Sequence, residues 1–198
     1  MSGRRKIGVL ISGRGSNLKS LIAACADANY PAEIVLVISN VAGAGGLTHA
    51  ANAGIPTKVI PHKTFASREV FDAAIDAALR EADVELVCEA GFMRIHCESF
   101  VRRWQGRIVN IHPSLLPAFR GTHVHEQAIA AGVKTSGCTV HFVAAEVDSG
   151  PIIAQSAVPV LEGDTPETLA ARVLEEEHKL YPLALKRVIE GRVRFDET

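Results

Sequence analysis

The sequence predicts a single α/β domain built on a doubly wound, mostly parallel sheet. Three observations carry this. Apolar runs of strand length at 6–11, 32–39, 57–60, 84–90 and 108–112 alternate with stretches whose apolar residues recur at helical spacing. The first run breaks into a glycine-rich loop that leads straight into a helical stripe, the strand–loop–helix junction of open α/β sheets. Finally, 198 residues that are 47% hydrophobic suffice for one core, and no repeat, low-complexity tract or long linker divides them.

In chain order, Lys6 to Ile11 is the first strand, and Ser12-Gly13-Arg14-Gly15-Ser16-Asn17 the loop after it. Leu18, Leu21, Ile22 and Cys25 then mark a helix. Such a junction aims backbone N–H groups and the positive end of a helix dipole at one spot, which suits a phosphate; a plain tight turn is the alternative. Leu18 stands where a dinucleotide fingerprint wants its third glycine, and the Lys-Ser/Thr of a P-loop is missing. Ala32 to Ser39 reads as a buried strand, followed by a glycine-rich turn and a helix through His49 that Gly54 caps. Thr57 to Ile60 is a short strand. Ser67 to Arg80 carries Val70, Phe71, Ala74, Ile75 and Ala78 as a helical stripe.

Val84 to Ala90 is the next strand, ending in Gly91-Phe92-Met93-Arg94-Ile95, and a short helix near Phe100 and Trp104 connects it to the strand Ile108–His112. In that strand Asn110 and His112 are two apart and so share a face, while Val109 and Ile111 pack the other way. Pro113 stops the ladder and leaves His112 at the carboxyl edge, where open α/β sheets hold ligands. An amide donor beside an acid/base suits chemistry on a carbonyl; satisfying loop backbone groups is the plainer reading. A helix is expected at Glu126–Ala131 and a strand at Ser136–Val143, in which His141 is expected to pack or hydrogen-bond internally. His123 and His125 form a His-x-His pair without a third ligand at recognisable spacing, so no metal is expected. The loop Ala145–Pro151 contains Asp148, Ile152 to Pro159 is a final strand, and Thr165 with Pro166 opens a long helix that Pro182 is expected to bend or interrupt.

Twenty-one Lys and Arg against 22 Asp and Glu leave a formal charge of -1, without the basic run that a nucleic-acid partner would need. The four cysteines are scattered through apolar surroundings and read as buried free thiols of a reducing compartment. The basic Arg4-Arg5-Lys6 precedes an apolar run that Ser12-Gly13 ends too soon for a signal peptide or a membrane span. A soluble, cytoplasmic protein is expected.

Several strings together resemble the folate-dependent formyltransferases, from Lys6 to about Gly191. They are Asn110-Ile111-His112-Pro113-Ser114-Leu115-Leu116-Pro117, Gly91-Phe92-Met93-Arg94, Gly13-x-Gly15-Ser16-Asn17, Asp148-x-Gly150-Pro151, and Glu177-His178-x-x-Tyr181-Pro182. The resemblance implies a Rossmann-like formyltransferase fold in one domain over 1–198, with a glycine-loop nucleotide half at about 1–100 and a folate/catalytic half at about 101–198. It implies formyl transfer from 10-formyltetrahydrofolate, as co-substrate, to the amino group of glycinamide ribonucleotide in purine biosynthesis, by direct amine attack through a tetrahedral intermediate. By the same resemblance Asn110, His112 and Asp148 are catalytic; Gly13, Gly15, Ser16, Asn17 and Glu177 bind the nucleotide; Arg68, Phe92, Met93, Arg94, Ile95 and Val147 bind folate. The family implies no metal, no nucleic acid and no membrane, and a monomer or weak homodimer.

Two positions depart from the pattern. Glu89 and His96 stand where the family commonly has leucine, and a carboxylate in a buried strand needs a partner, so Glu89 is expected to pair with His96 or a nearby arginine. An idle nucleotide-binding domain, or a transferase formylating another amine, are the rival readings.

Overall fold

A computed structural model describes residues 3–195; the two residues before and the three after lie outside the description. Its elements are β1 (Arg5–Ile11), α1 (Ser16–Cys25), β2 (Ala32–Ser39), α2 (Gly45–Asn52), β3 (Thr57–Val59), α3 (Arg68–Glu81), β4 (Leu86–Glu89), α4 (Glu98–Arg103), β5 (Ile108–His112), α5 (Val124–Ala130), β6 (Thr135–Phe142), β7 (Ile152–Pro159) and α6 (Pro166–Ile189). The strands form one sheet in the order β3-β2-β1-β4-β5-β6-β7. β1 to β5 are parallel, and β6 and β7 add antiparallel at one edge. The chain winds outward from β1 in both directions, so the strand order reverses between β1 and β4. The loops after those two strands therefore part there and open a crevice.

Alternation along the strands builds the two layers. Ile7, Val9 and Ile11 of β1, Cys88 of β4 and Val109 and Ile111 of β5 face one core, which Leu18 and Leu21 of α1 and Tyr181, Ala184 and Leu185 of α6 complete. Leu10, Val87 and Ile108 face the other, against Phe71, Ile75 and Leu79 of α3 and Phe100 of α4. Asn110 and His112 alternate with Val109 and Ile111 and so turn to the second face, as their spacing predicts.

Most expected elements stand within a residue or two. Val84 precedes β4 rather than belonging to it, and α5 begins at Val124 rather than Glu126. Two caps have the expected residues: the Ser67 hydroxyl accepts from the Val70 N–H, and Thr165 opens a capping box with Thr168. Of the bend or interruption expected at Pro182, the interruption does not occur, since α6 runs unbroken for 24 residues. An internal proline costs about 3 kcal/mol, and anchorage on both sides of it opposes that cost. The Tyr181 hydroxyl reaches the carbonyls of Glu89 (2.8 Å) and Val109 (3.1 Å), the Tyr30 hydroxyl donates to Pro182 O at 2.8 Å, and Ala184 and Leu185 are fully buried. All four cysteines are free.

Candidate active site

A cavity of about 670 Å³ opens at the carboxyl ends of β4 and β5. Its walls come from the loops after those strands, the start of α5, the 143–148 segment and one residue each from α1 and α6. One row of residues crosses the sheet beneath it: Leu10, Glu89, Asn110 and His141 are consecutive register partners on β1, β4, β5 and β6.

His112 is held by the turn that follows it. The Thr139 hydroxyl donates to Ser114 O (2.7 Å) and accepts from Leu116 N (3.0 Å), while Gln155 Nε2 bonds Leu116 O (2.8 Å) and Ser114 Oγ bonds Ala118 O (2.6 Å). These bonds fix the Pro113–Pro117 turn and with it the Phe119 carbonyl, to which His112 Nε2 donates at 2.9 Å. A carbonyl only accepts, so the proton on Nε2 is set, and Nδ1 faces Asp148 Oδ2 at 3.4 Å. There a proton on Nδ1 gains charge stabilisation.

Asp148 occupies a left-handed backbone position (φ 51°) and accepts the Gly121 N–H at 2.9 Å. Gly150, two residues on, lies so close to β6 that a Cβ there would stand 1.8 Å from Phe142 O. The Asp-x-Gly-Pro string is thus a close backbone approach that sets the height of the carboxylate over the cavity.

His141 hydrogen-bonds within its own strand, as expected, and its ring also lines the cavity. Nδ1 donates to Phe142 O at 2.8 Å, so Nε2 is left to accept from Asn110 Nδ2 at 3.3 Å, with Asp148 Oδ1 at 3.7 Å. Burial, more than Phe142 and Asp148 can offset, holds the imidazole below its ordinary range and therefore neutral. A neutral acceptor fixes which end of the Asn110 amide is NH₂ and leaves that group a second N–H. Finding this required the antiparallel Asn110–His141 pairing, which strand periodicity alone does not supply.

At the other end of the cavity Asn17 Nδ2 donates to Glu177 Oε2 at 2.6 Å, joining α1 to α6. Asn17 Oδ1 is buried without a hydrogen-bond partner among the described residues. Burial raises the Glu177 carboxyl, and the Asn17 bond works against it. Gly15 adopts φ 75° at the start of α1 and packs against Gly46, where a Cβ would lie 2.4 Å from the Gly46 Cα. Ser12 ties three loops together: its hydroxyl donates to Asn40 Oδ1 (2.6 Å) and accepts from Met93 N (2.8 Å).

Asn110, His112, Asp148, Asn17, Glu177, Phe92, Met93, Arg94, Ile95 and Val147 all line this cavity. Ser16 instead lines a neighbouring groove with Arg14, Lys19, His49 and His178, where Arg14 and Lys19 bring positive charge to the head of α1. Gly13 lies in the loop before α1, where its carbonyl accepts from Gly46 N at 3.1 Å, and neither it nor Gly15 is part of either lining. Arg68 is exposed at the first turn of α3 and is not part of the cavity wall. His123, the N-cap of α5, and His125, in its first turn, line the cavity. Among the described residues no three His, Cys, Asp or Glu side chains converge as metal ligands.

The expected pairing of Glu89 with His96 is present, with a third member that the sequence did not disclose. His96 Nδ1 bonds Asp72 Oδ1 at 2.8 Å, and Nε2 lies 2.9 Å from Glu89 Oε1, too bent for a linear hydrogen bond. Burial alone would push this imidazole down; the two carboxylates outweigh it and raise the pKa to about 9.

The comparisons agree with this geometry. The formyl transferase family model matches residues 5–185. The chain is 56% identical over 192 residues to the trifunctional purine biosynthetic protein adenosine-3 of Gallus gallus, covering 97% of this chain but 19% of that protein. It thus spans about a fifth of the length of that relative. It is 45% identical to the phosphoribosylglycinamide formyltransferase of Haemophilus influenzae, over 98% of this chain and 91% of the relative. The crystal structure of glycinamide ribonucleotide transformylase 1 from Symbiobacterium toebii superposes with a TM-score of 0.94 at 48% identity, covering 97% of this chain and 91% of that one. With its motifs gathered around one cavity and the family model matched from end to end of the sheet, the chain belongs to the formyl transferase family.

Proposed function

We propose that this chain transfers a formyl group from 10-formyltetrahydrofolate to the amino group of glycinamide ribonucleotide, giving N-formylglycinamide ribonucleotide and tetrahydrofolate. The observation that carries the reading is the convergence of Asn110, His112 and Asp148 on one wall of a cavity that Asn17 and Glu177 close at one end and the Phe92–Ile95 segment at another. The nucleotide's phosphate meets the loop of Gly13, Gly15 and Ser16 and the head of α1, with Glu177 and Asn17 at its ribose. The folate lies along Phe92, Met93, Arg94, Ile95 and Val147, with Arg68 outside the cavity wall as an outer contact for its acidic tail.

In this arrangement the uncharged amine attacks the formyl carbon. A C–N bond forms and the carbonyl π pair moves to oxygen. The free N–H of the Asn110 amide meets that oxyanion, one such donor being worth about 10²–10³ in turnover, and protonated His112, its two ring nitrogens turned to Phe119 O and Asp148, stabilises it as a nearby positive charge. Asp148 stabilises the imidazolium across 3.4 Å. The attacking nitrogen loses a proton through this pair or a bridging water, folate N10 gains one, and the bond from carbon to N10 breaks. No covalent enzyme intermediate is formed, and much of the rate comes from holding amine and formyl group together.

The protein works as a monomer or weak homodimer in the cytoplasm, with no metal, membrane or nucleic acid in the reaction. The four free cysteines suit a reducing compartment. In this reading the nucleotide half at about 1–100 also lends Phe92–Ile95 to the folate, and the folate/catalytic half lends Glu177 to the nucleotide. The test is tetrahydrofolate formation with purified protein and both substrates. Turnover that requires the nucleotide is expected; folate conversion at the same rate without it would overturn the reading.

A further inference from the structure

We propose that Glu89 is a specificity-determining residue of the cavity: His96 holds its carboxylate by one oxygen, and the other accepts an N–H from the pteridine ring of the co-substrate. This rests on the formyl-transfer reading above. Glu89 lines the cavity while only 7% exposed, and it is the register partner of Asn110, so it lies one strand away from the proposed oxyanion donor. Its Oε1 is shielded from solvent and lies against His96 Nε2; no donor among the described residues bonds its Oε2.

The support behind it is rigid. His96 Nδ1 bonds Asp72 Oδ1, and Asp72 Oδ2 accepts the Cys97 N–H at 2.6 Å. The His96 ring is stacked between Phe92 (centroids 5.3 Å apart, 20° interplanar) and Phe100 (4.2 Å, 18°), which blocks any swing and favours a cation there. Hydrogen bonds hold Asp72 and stacking holds His96, while Glu89 meets His96 through Oε1 as an ion contact only, which leaves Oε2 without a partner among the described residues. Two carboxylates against one imidazolium leave a surplus negative charge on the wall. Such a wall accepts a planar heterocycle that presents N–H donors on one edge, as an amino-pteridine does with its exocyclic amine and ring N–H. It disfavours the same ring presenting an acceptor there. A purely structural role, neutralising His96, predicts no dependence on the ligand's donors.

The experiment measures Kd of the full chain for 10-formyltetrahydrofolate and for its 2-desamino analogue, in wild type and in Glu89→Gln. Glycinamide ribonucleotide affinity and thermal melting report folding. The expected result is that wild type prefers the amino ligand by about 10–100-fold, the range for a hydrogen bond to a charged group. Glu89→Gln should lose most of that preference through the amino ligand alone, with nucleotide affinity unchanged. Equal affinity of wild type for the two ligands would overturn the proposal without any variant, as would an equal loss for both in a folded Glu89→Gln. Failure of wild type to bind either folate while binding nucleotide would instead overturn the formyl-transfer reading, and the proposal with it.

Discussion

Stability should fall as pH rises from 7 to 8.5, and the Asp72–His96–Glu89 network is the cause. His96 is 2% exposed at its side chain, so solvent screens its contacts little. Its folded pKa of about 9 stands above the ordinary histidine value of 6.5. A pKa raised on folding means that the native state holds a proton that the unfolded chain releases. The stabilisation is therefore complete below the unfolded value and is lost as pH climbs through the folded one. Two and a half units at about 1.4 kcal/mol each give about 3 kcal/mol in all, of which about 2 kcal/mol disappears between pH 7 and 8.5. His125, His141 and His178 are depressed, so their effect has the opposite sign and is spent below that window. Burial pushes the thiols of Cys25, Cys88 and Cys138 above the ordinary cysteine range, so they act in the same direction as His96, but at higher pH. Urea unfolding at a series of pH values reads this directly, provided the m-value stays constant. The double variant Glu89→Leu/His96→Leu, in which Asp72 keeps the Cys97 N–H, should be flat across the window. A wild-type profile without a slope, or a variant falling as steeply as wild type, would refute the reasoning.

Three further outcomes follow from the site. Asn110→Ala should lower turnover about 10²–10³-fold with melting temperature little changed, measured by steady-state kinetics beside a thermal melt; retained turnover would remove Asn110 from the oxyanion. Gly150→Ala forces a Cβ to within 1.8 Å of Phe142 O and so displaces the Asp148 loop. Turnover should drop about 100-fold, the cost of roughly 1 Å of misplacement, while substrate affinities change far less. Glu177→Leu removes the partner of Asn17 Nδ2 and should raise the nucleotide KM about 10–100-fold; an equal rise in the folate KM would contradict its place at the nucleotide end.

The parts of this structure that were legible in the sequence are those whose cause is local. Period-two alternation in Ile108–His112, with a proline after it, located both Asn110 and His112 and the face that they share. Thr165, Pro166 and Ser67 declared their helix ends through capping chemistry. The cost of burying Glu89 predicted a partner, and His96, seven residues on around one loop, was within reach of that argument. Asp72 was not, because it lies on α3, 24 residues away from His96, and only the packing of α3 against the 91–97 loop joins them. His141 bonds within its own strand as expected, but its place beside Asn110 was out of reach for a similar reason: nothing local says that β6 runs antiparallel to β5 or that residue 141 falls opposite residue 110. At Pro182 the local rule offered a bend or a break, and the long-range anchors of Tyr30, Tyr181 and Leu185 keep the helix unbroken.

The most direct measurement of the central claim follows the carbon itself. With 10-formyltetrahydrofolate labelled with ¹³C in the formyl group and one equivalent of glycinamide ribonucleotide, NMR of the products should place the label in the amide of N-formylglycinamide ribonucleotide, with tetrahydrofolate formed in equal amount. Label appearing as free formate, with the nucleotide amine untouched, would contradict the account.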